Sequence, residues 1–502
     1  MADVDVSSIV ARTSRNYDAL PYTSDPFPRT HPSLVGAIAR LFSLEAAPLG
    51  EARVLELGCA AGGNIIPLAA RNPKASFVGI DLSSAQIEAG RARIAQLGLS
   101  NIELRCESFA DAAAPDAAFD YIVCHGVYSW VPAPLRDTIL RICRASMSPR
   151  GVALVSYNVL PGWRMLQALR DCFLLHASPD ADPRRRVAEA RALLQFLPQA
   201  CPEAGPYKDF LTAQAETLLK SSDDYIAHEF LDDVNEPCSF RDFVAAAQRQ
   251  DLAFLAEAEL PSMIVANYPP AMAETIRNVG GSQLIATEQY IDMVSGRTFR
   301  HSLLVAAERA PRIDRRLASA RLDGLHFIGG ADLALTREPG GATLARPAGR
   351  RLHTGSAPLA DALAQFVERF PASSSIDDLV QALPAAARNA EGRALVREGL
   401  FNMVLNGLAT PRLDAVSAVA RAGAKPVACP MARAEAARGA TSVVNLRHER
   451  VELGPPAQAV LPLLDGSRDA AAIATAMAAA GRAPANLDAL LAALARAGLL
   501  CA

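Results

Sequence analysis

The chain has 502 residues, and at about 100–200 residues per domain we expect three or four domains rather than one core. Its 50 basic and 53 acidic residues give a formal net charge of −3, which leaves no basic excess for a nucleic-acid backbone or an anionic membrane. Hydrophobic residues make up 51%, yet no stretch approaches the roughly 20 uninterrupted apolar residues of a membrane span.

The spacing of the cysteines and the composition of the N-terminal residues predict the cellular compartment of the protein. The nine cysteines include no C-x-x-C pair, which favours reduced thiols over a disulfide framework or a zinc site. The N-terminal stretch carries early acids and no apolar run, so we expect no secretory signal peptide. We therefore predict a cytoplasmic protein with no metal site, no membrane span and no nucleic-acid partner. A homo-oligomer stays possible.

The segment 53–157 alternates short β-rich runs with helical patterns, which predicts βαβ units and a parallel sheet. The predicted strands are VLELG (54–58), SFVGID (76–81), NIELR (101–105), FDYIVC (119–124) and GVALVSY (151–157). Ser83 or Ser84 is expected to cap the helix after the second strand. SPRG at 148–151 is expected to stop the helix before the fifth strand. The fold class is α/β, a Rossmann-like core with a parallel-rich sheet and helices on both faces, followed by mixed α+β and winged-helix-like domains.

Beyond residue 161 the pattern becomes mainly helical, with apolar residues at helical spacing. The acidic half of segment 223–248 is expected outside the core. Residues 307–356 have the pattern of weak strands or of a linker. Residues 357–415 have the order of predicted elements that is typical of a small winged-helix unit. Residues 416–440 are predicted to be a linker. Residues 441–502 have the order of elements of a second winged-helix-like unit.

A glycine-rich turn follows the first strand, with Ala60 in place of the second glycine of a dinucleotide fingerprint, between Gly58 and Gly62. Glu56, two residues before the turn, would repel a pyrophosphate but can pair with a cationic ligand. S-adenosylmethionine carries an ammonium and a sulfonium and no phosphate, so it tolerates Ala60. Asp81 ends the second strand, where a carboxylate can accept both ribose hydroxyls. The alternatives are a tight turn without a ligand and an aspartate that caps a helix.

Further candidates lie after the later strands, at the edge where open α/β sheets bind ligands. Ser108 and Phe109 stand where an adenine edge would meet a polar side chain and a backbone amide. The predicted cofactor-binding residues are Glu56, Gly58, Ala60, Gly62, Asp81, Leu82, Ser108, Phe109 and Cys124.

The candidate catalytic residues follow the fourth and fifth strands, and they are His125, Tyr128, Trp130 and Tyr157. Aromatic rings there can hold an alkylammonium by cation–π contact, and His125 can act as a base. Alternatively Tyr128 and Trp130 pack against the following helix, and His125 only bonds the backbone.

The N-terminal PYTSDPFPRTHP (21–32) is not expected to form a regular helix, because each proline restricts the residue before it. Tyr17, Tyr22, Phe27 and His31 are predicted to form a lid over the cofactor. The alternative is that they pack beneath the first helix.

These motifs together resemble class I S-adenosylmethionine-dependent methyltransferases. The resemblance is carried by ELGCAAG (56–62), GIDLS (79–83), FDYIVCH (119–125) and SPRG (148–151). Ala60 and Arg150 depart from glycines that are usual in that family. The sequence is similar to members with a methyltransferase regulatory domain in segments 16–42, 124–132, 156–163, 228–240 and 295–305, and to their winged-helix end in NLRHERV (445–451).

The resemblance implies an arm or lid over 1–32, a methyltransferase domain over 33–178 and a regulatory domain over 179–306. Connecting strands (307–356), a winged-helix-like unit (357–415), a linker (416–440) and a second such unit (441–502) follow. S-adenosylmethionine is the implied cofactor, with methyl transfer by in-line displacement. A protein substrate, lysine first, is implied because bacterial protein-lysine methyltransferases acting on outer-membrane proteins share this architecture. A small-molecule methyltransferase or a cofactor-binding regulator remains the alternative.

Overall fold

A computed structural model describes residues 6–110, 118–178, 181–347, 349–482 and 484–501. Among these residues, every helix is too short or too polar to span a lipid bilayer.

The centre of the molecule is a seven-stranded sheet. Its strands are β1 (Arg53–Leu57), β2 (Ser76–Asp81), β3 (Ile102–Cys106), β4 (Phe119–Cys124), β5 (Met147–Asn158), β6 (Leu252–Glu257) and β7 (Phe299–Ala306). Their order is β3-β2-β1-β4-β5-β7-β6. The first five pair in parallel, and β7 is antiparallel to both neighbours. The predicted parallel-rich sheet is confirmed, with each predicted strand within a few residues of its expected bounds.

The predicted helix stop at SPRG is wrong, because these four residues lie inside β5. The preceding helix ends at Ala145, and β5 starts at Met147, which pairs with Phe119. The register then shifts between Phe119 and Tyr121, which marks a bulge in the ladder. A bulge leaves backbone groups outside the regular pairing, so Pro149 is accommodated without breaking the strand.

Helices cover both faces of this sheet. Those up to residue 176 are α1 (Val6–Ala19), α2 (Pro32–Leu41), α3 (Ile65–Arg71), α4 (Ser84–Leu97), α5 (Ala133–Ala145) and α6 (Trp163–His176). Those up to residue 295 are α7 (Pro183–Ala200), α8 (Pro206–Leu218), α9 (Asp223–Phe230), α10 (Phe240–Arg249), α11 (Pro270–Gly280) and α12 (Leu284–Ser295). One apolar core joins α2 and α3 to the sheet, and a second joins α5 and α10. The Rossmann-like arrangement is confirmed.

The segment predicted as a regulatory domain supplies two strands, β6 and β7, to the same central sheet. Its Arg300 is fully buried and binds three buried carboxylates, those of Glu257, Glu288 and Asp292. Since buried charges need such partners, this cluster fixes α12 against the two strands. This segment therefore completes the core sheet rather than standing apart from it.

The expected exposure of the acidic segment is wrong for part of it. Asp224, His228 and Asp232 are buried. The Asp224 carboxylate accepts a hydrogen bond from the Thr23 amide at 2.7 Å, and Arg170 donates to the Asp232 carbonyl. Polar groups can be buried when they are hydrogen-bonded in this way, and their partners lie far away in the sequence.

Residues 307–412 form a second unit. Its elements are β8 (His326–Ile328), β9 (Ala334–Glu338), β10 (Gly341–Ala345), β11 (Arg351–Thr354), α13 (Ala357–Glu368), β12 (Ser374–Ser375), α14 (Ile376–Gln381), α15 (Ala390–Leu405) and β13 (Thr410–Arg412). β12, β8 and β13 form one small sheet, and β11, β10 and β9 form another. The predicted connection thus contributes strands to this unit.

Residues 427–501, here called the C-terminal unit, form a core of their own. Its elements are α16 (Pro430–Ala437), β14 (Ser442–Val444), β15 (Arg450–Glu452), α17 (Pro455–Val460), α18 (Ala470–Ala479) and α19 (Leu487–Arg496). Part of the predicted linker belongs to it, because Met431, Ala432 and Ala436 of α16 are buried in that core. Small alanines gave α16 a weak apolar pattern, which resembles that of a linker.

Candidate functional site

A cavity of about 450 Å³ opens at the carboxyl ends of all five parallel strands. This is the edge at which open α/β sheets bind their ligands. Its wall is completed by the N-terminal arm (residues 10–27) and by α9.

The glycine-rich turn brings its backbone to this cavity in a left-handed conformation. Gly58, Ala60 and Gly62 have φ angles of 78°, 47° and 73°. A Cβ atom at Gly58 would stand 2.2 Å from the Val127 side chain, so only glycine fits there. Ala60 adopts a left-handed φ that ordinarily costs about 1–2 kcal/mol for a residue with a Cβ atom. The turn thus keeps the glycine-type shape although its middle residue is alanine.

Asp81 holds that turn in place. Its Oδ2 accepts from the Ala60 amide at 2.8 Å, and its Oδ1 accepts from the Ser83 amide at 2.9 Å. The helix cap is Ser83, whose hydroxyl accepts from the Gln86 amide, as one of the two predicted serines. Burial raises the pKa of Asp81, and these amides oppose the rise. Asp81 lines the cavity and retains lone pairs for a ligand.

Glu56 offers the cavity a carboxylate oxygen without a partner. Its side chain is buried, and Oε1 accepts from Asn64 Nδ2 at 2.8 Å. Oε2 has no hydrogen-bond partner among the described residues. Burial raises the pKa of Glu56 to about 8, although the Asn64 amide lowers it. A cationic group at Oε2 would restore the ionised form.

Acidic side chains are the main ionisable groups of the cavity lining. Its acidic side chains are Asp25, Glu56, Asp81, Glu107 and Glu229. The described residues that line the cavity include neither lysine nor arginine. The phosphate groups of a dinucleotide would find no lysine or arginine there, whereas a ligand with a net positive charge would find carboxyl groups.

His125 lies in the cavity wall between aromatic rings. Its ring centroid is 4.2 Å from that of Phe27 and 5.2 Å from the stacked ring of His301. Burial lowers the pKa of His125 to about 3, with smaller contributions from His301 and Arg29. A histidine this weakly basic is neutral at pH 7, so it is poorly matched to taking a proton from an amine.

Trp130 lines the cavity beside His125, but Tyr128 and Tyr157 do not. Tyr157 is fully buried and stacks on Phe243 at 4.0 Å, and Tyr128 meets the same ring at 5.3 Å. The expectation that these two tyrosines form the pocket is therefore wrong. Successive residues of a strand point to opposite faces, so Tyr157 turns toward α10.

Most predicted cofactor residues line the cavity, namely Glu56, Gly58, Ala60, Asp81, Leu82, Ser108 and Phe109. Gly62 and Cys124 stand behind it. A Cβ atom at Gly62 would meet Ile66, and Cys124 is buried in the core on the α5 side of the sheet. These two residues shape the wall instead of touching the cavity.

The N-terminal arm covers the cavity and is bonded on both sides. Tyr17, Tyr22 and Phe27 line the cavity. On the sheet side, the Ser24 hydroxyl accepts from the Gly63 amide at 2.7 Å. On the α9 side, the His228 ring is 2.7 Å from the Leu20 carbonyl oxygen. The arm has no regular helix over residues 20–27, as expected from its prolines.

His31 departs from the predicted lid. It is buried below the arm, where its ring accepts from the Ser33 amide at 3.1 Å and caps α2. Its ring centroid lies 5.2 Å from that of His448 in the C-terminal unit. His31 therefore caps α2 and packs against the C-terminal unit, and it does not line the cavity.

Three residues that line a further wall of the cavity were not predicted from the sequence. Trp163, Tyr225 and Glu229 line it, and Trp163 Nε1 has no partner among the described residues. Burial raises the pKa of Glu229 to about 8, with the Asn158 side chain opposing the rise. Tyr225 and Glu229 are four residues apart and share a helix face, which was the available signal. That face meets the cavity only through tertiary packing of α9.

Three family models match this chain. Residues 54–151 match "Methyltransferase domain", residues 222–306 match "Predicted methyltransferase regulatory domain", and residues 424–486 match "PKMT, C-terminal winged helix domain".

Similar proteins include two uncharacterised proteins of Rickettsia prowazekii. One is 40% identical over 289 residues, 57% of this chain, and the chain spans about half of that relative, 52%. The other is 34% identical over 249 residues, which are 49% of this chain and 100% of that protein. A solved structure of PKMT2 from Rickettsia typhi in complex with AdoHcy superimposes with a TM-score of 0.83 at 25% identity, covering 96% of this chain and 100% of that one. The chain belongs to the class I S-adenosylmethionine-dependent methyltransferases whose methyltransferase domain is followed by a regulatory domain and a C-terminal winged-helix domain.

Proposed function

We propose that this chain transfers a methyl group from S-adenosylmethionine to an amine, and that the acceptor is a lysine side chain of a protein. The supporting observation is the cavity whose described lining has five carboxyl groups, several aromatic rings and neither lysine nor arginine. The cofactor carries an ammonium and a sulfonium, and the acceptor enters as an alkylammonium. Both ligands are cations that such a lining attracts.

For the cofactor, the unpartnered Oε2 of Glu56 is the proposed partner of the ammonium group. Asp81 would accept the ribose hydroxyls, and Ser108 with Phe109 would border the adenine. The AdoHcy in the PKMT2 complex supports this ligand class for a chain of the same fold. The bound cofactor supplies a methyl group on a sulfonium, which an amine takes while the electron pair of the broken bond stays on sulfur.

For the acceptor, the proposed proton acceptor is Glu229. A lysine ammonium has an unperturbed pKa of about 10.4 and must lose a proton before its nitrogen can attack. A carboxyl group whose pKa is raised to about 8 is better matched to that task than His125, whose pKa falls to about 3. Trp130 and Trp163, on the cavity wall, can hold the aliphatic and cationic parts of the side chain.

The substrate class is tested by incubating the protein with methyl-labelled cofactor and a bacterial lysate. We expect label in protein bands and, after mass-spectrometric mapping, on lysine side chains. Label confined to small molecules would instead support the small-molecule alternative. Binding of the cofactor without any transfer would favour a regulator.

The role of Glu229 is tested by Glu229→Gln. We expect kcat to fall by about 100-fold and the ionisation near pH 8 to disappear from the pH profile of kcat. The Kd for S-adenosylhomocysteine should stay unchanged. Glu107→Gln is the matched control, because Glu107 lines the same cavity. A pH profile of Glu229→Gln that keeps the wild-type shape would contradict the assignment.

A further inference from the structure

A buried histidine of the C-terminal unit reaches the cofactor side of the cavity. His448 lies in the turn between β14 and β15 with a φ of 67°, and its side chain is fully buried. Its Nε2 lies 2.8 Å from Oδ1 of Asn64, which is 384 residues earlier in the sequence. Asn64 immediately precedes α3 and follows the glycine-rich turn.

The hydrogen bonds around Asn64 fix its orientation. The Phe27 amide can only donate, and it donates to Asn64 Oδ1 at 2.9 Å. The amide nitrogen of Asn64 therefore faces the other way, where it donates to Glu56 Oε1 at 2.8 Å and to the Thr30 hydroxyl at 3.0 Å. Since Oδ1 is an acceptor, His448 Nε2 must be the donor.

The protonation state of His448 agrees with this direction. Burial lowers its pKa well below the usual value, and the neighbouring Arg71 and Arg412 lower it further. The neutral ring carries its one proton on Nε2, and Nδ1 has no partner among the described residues. A neutral donor thus completes a chain of two hydrogen bonds from His448 through Asn64 to Glu56.

We propose that His448 is a positioning residue for the cofactor, so that the C-terminal unit sets the affinity for the ammonium end of the ligand. The inference rests on the proposed function, because it takes Glu56 as the partner of that ammonium. Without His448, Oδ1 of Asn64 keeps the Phe27 amide at 2.9 Å and the Thr30 hydroxyl at 3.3 Å, so the asparagine side chain is held less firmly. The donor to Glu56 Oε1 is then less rigidly placed, which weakens the orientation of Oε2 toward the ligand.

The experiment measures binding of two ligands by calorimetry. S-adenosylhomocysteine carries the amino-acid end, whereas 5′-methylthioadenosine lacks it and keeps the adenosine. For His448→Ala we expect a Kd for S-adenosylhomocysteine raised by about three- to tenfold, the loss expected for one buried hydrogen bond. The Kd for 5′-methylthioadenosine should change by less than about twofold, because that ligand does not reach Glu56.

Two further variants separate positioning from packing. His448→Phe keeps a ring of similar volume but cannot donate, so it should weaken S-adenosylhomocysteine as His448→Ala does. His448→Gln keeps an N–H donor and should recover most of the affinity. Met477→Ala is the control, because Met477 lies in the core of the C-terminal unit. It should lower the Tm and leave both Kd values unchanged.

Unchanged S-adenosylhomocysteine binding in both His448→Ala and His448→Phe would overturn the inference. Equal weakening of both ligands would also overturn it, because that pattern indicates general damage to the site. Failure of the wild-type protein to bind S-adenosylhomocysteine would overturn the proposed function itself, and is therefore distinguishable from failure of His448 alone.

Discussion

Ala60 shows how one residue keeps the form of a glycine turn without being glycine. Its left-handed φ of 47° is maintained by the bond from its amide to Asp81. The structure around it must supply the free energy that this conformation costs. A glycine at the same position would adopt the conformation without that cost.

We therefore expect Ala60→Gly to raise the free energy of unfolding of the ligand-free protein by about 0.5–1 kcal/mol. Urea unfolding followed by circular dichroism measures this change. The neighbouring Ala61 has no left-handed φ, so Ala61→Gly should lower stability by a similar amount. A loss of stability in Ala60→Gly as large as that in Ala61→Gly would show that the φ strain is absent.

Glu56 provides a second prediction at the residue scale, which concerns the release of a proton when the ligand binds. With its pKa at about 8, the carboxyl group is mostly protonated at pH 7 before a ligand binds. A cation beside Oε2 favours the ionised form, so binding of S-adenosylhomocysteine at pH 7 should release up to about one proton. Calorimetry in two buffers of different ionisation enthalpy measures the release.

Glu56→Gln should abolish this proton release, and raising the pH toward 9 should diminish it because the carboxyl is then already ionised. Identical heats in the two buffers for the wild-type protein at pH 7 would be incompatible with a protonated Glu56.

Sequence reasoning identified the residues of this site that sit next to a strand end, such as Glu56 and Asp81. Their position follows from local order along the chain, because parallel strands end at one edge. Glu229 and Trp163 escaped notice because their helices reach the cavity only by tertiary packing. The position of Tyr157 was predicted wrongly for a different reason. Its strand β5 is buried on both faces, so the sequence has no alternation of apolar and polar residues that would indicate which face lines the cavity.

At the scale of elements, the N-terminal arm links two parts of the molecule. The Thr23 amide binds Asp224 of α9 at 2.7 Å, while the Tyr22 carbonyl accepts from Gln86 of α4 at 2.9 Å. Between residues 20 and 26 of the arm, most side chains are partly or fully exposed. Such a segment opens locally more easily than the core.

We expect saturating S-adenosylhomocysteine to slow hydrogen exchange of the amides in segment 20–30, because a ligand beneath the arm holds it closed. Hydrogen–deuterium exchange with mass spectrometry measures this, with α18 of the C-terminal unit as an unaffected reference. Ser24→Ala removes the acceptor for the Gly63 amide and should reduce the protection. Equal exchange with and without ligand would contradict a lid.

The strands of the core were predictable because strand, turn and helix signals recur there at short spacing. The second strand has the bounds expected from its sequence, Ser76–Asp81. The alanine-rich α16 was read as a linker, since its core contacts depend on small side chains that carry little pattern. The contribution of β6 and β7 to the central sheet could not be predicted, because pairing across more than a hundred residues leaves no local signal.

At the scale of the whole molecule, the cavity region buries several carboxyl groups whose pKa values are raised. Burial raises the pKa of Glu56 and Glu229 to about 8 and that of Asp232 to about 7. In the unfolded chain these groups ionise at their ordinary lower pKa values. At neutral pH these three carboxyl groups therefore bind more protons in the native protein than in the unfolded chain.

Their contribution to stability is present below the unfolded pKa values and is lost as the pH rises through about 7 to 8. The carboxyl groups should make the ligand-free protein unfold more easily at about pH 8.5 than at about pH 6, against a smaller opposing effect of the buried histidines His125 and His301, whose pKa values are lowered. Urea titrations at a series of pH values measure this slope. Glu229→Gln should flatten it, whereas Glu107→Gln should not. A midpoint that rises steadily over this range would contradict buried, protonated acids.

The contact of His448 with Asn64 and the ion pair of Arg450 with Asp25 at 2.7 Å join the beginning of the chain to its last unit. During synthesis, the glycine-rich turn emerges from the ribosome long before residue 448 exists. A nascent chain can form the sheet that holds Glu56, but the asparagine beside it lacks its donor until the C-terminal unit has folded. A chain interrupted before residue 448 should therefore hold the cofactor about three- to tenfold less tightly than a chain that includes the C-terminal unit.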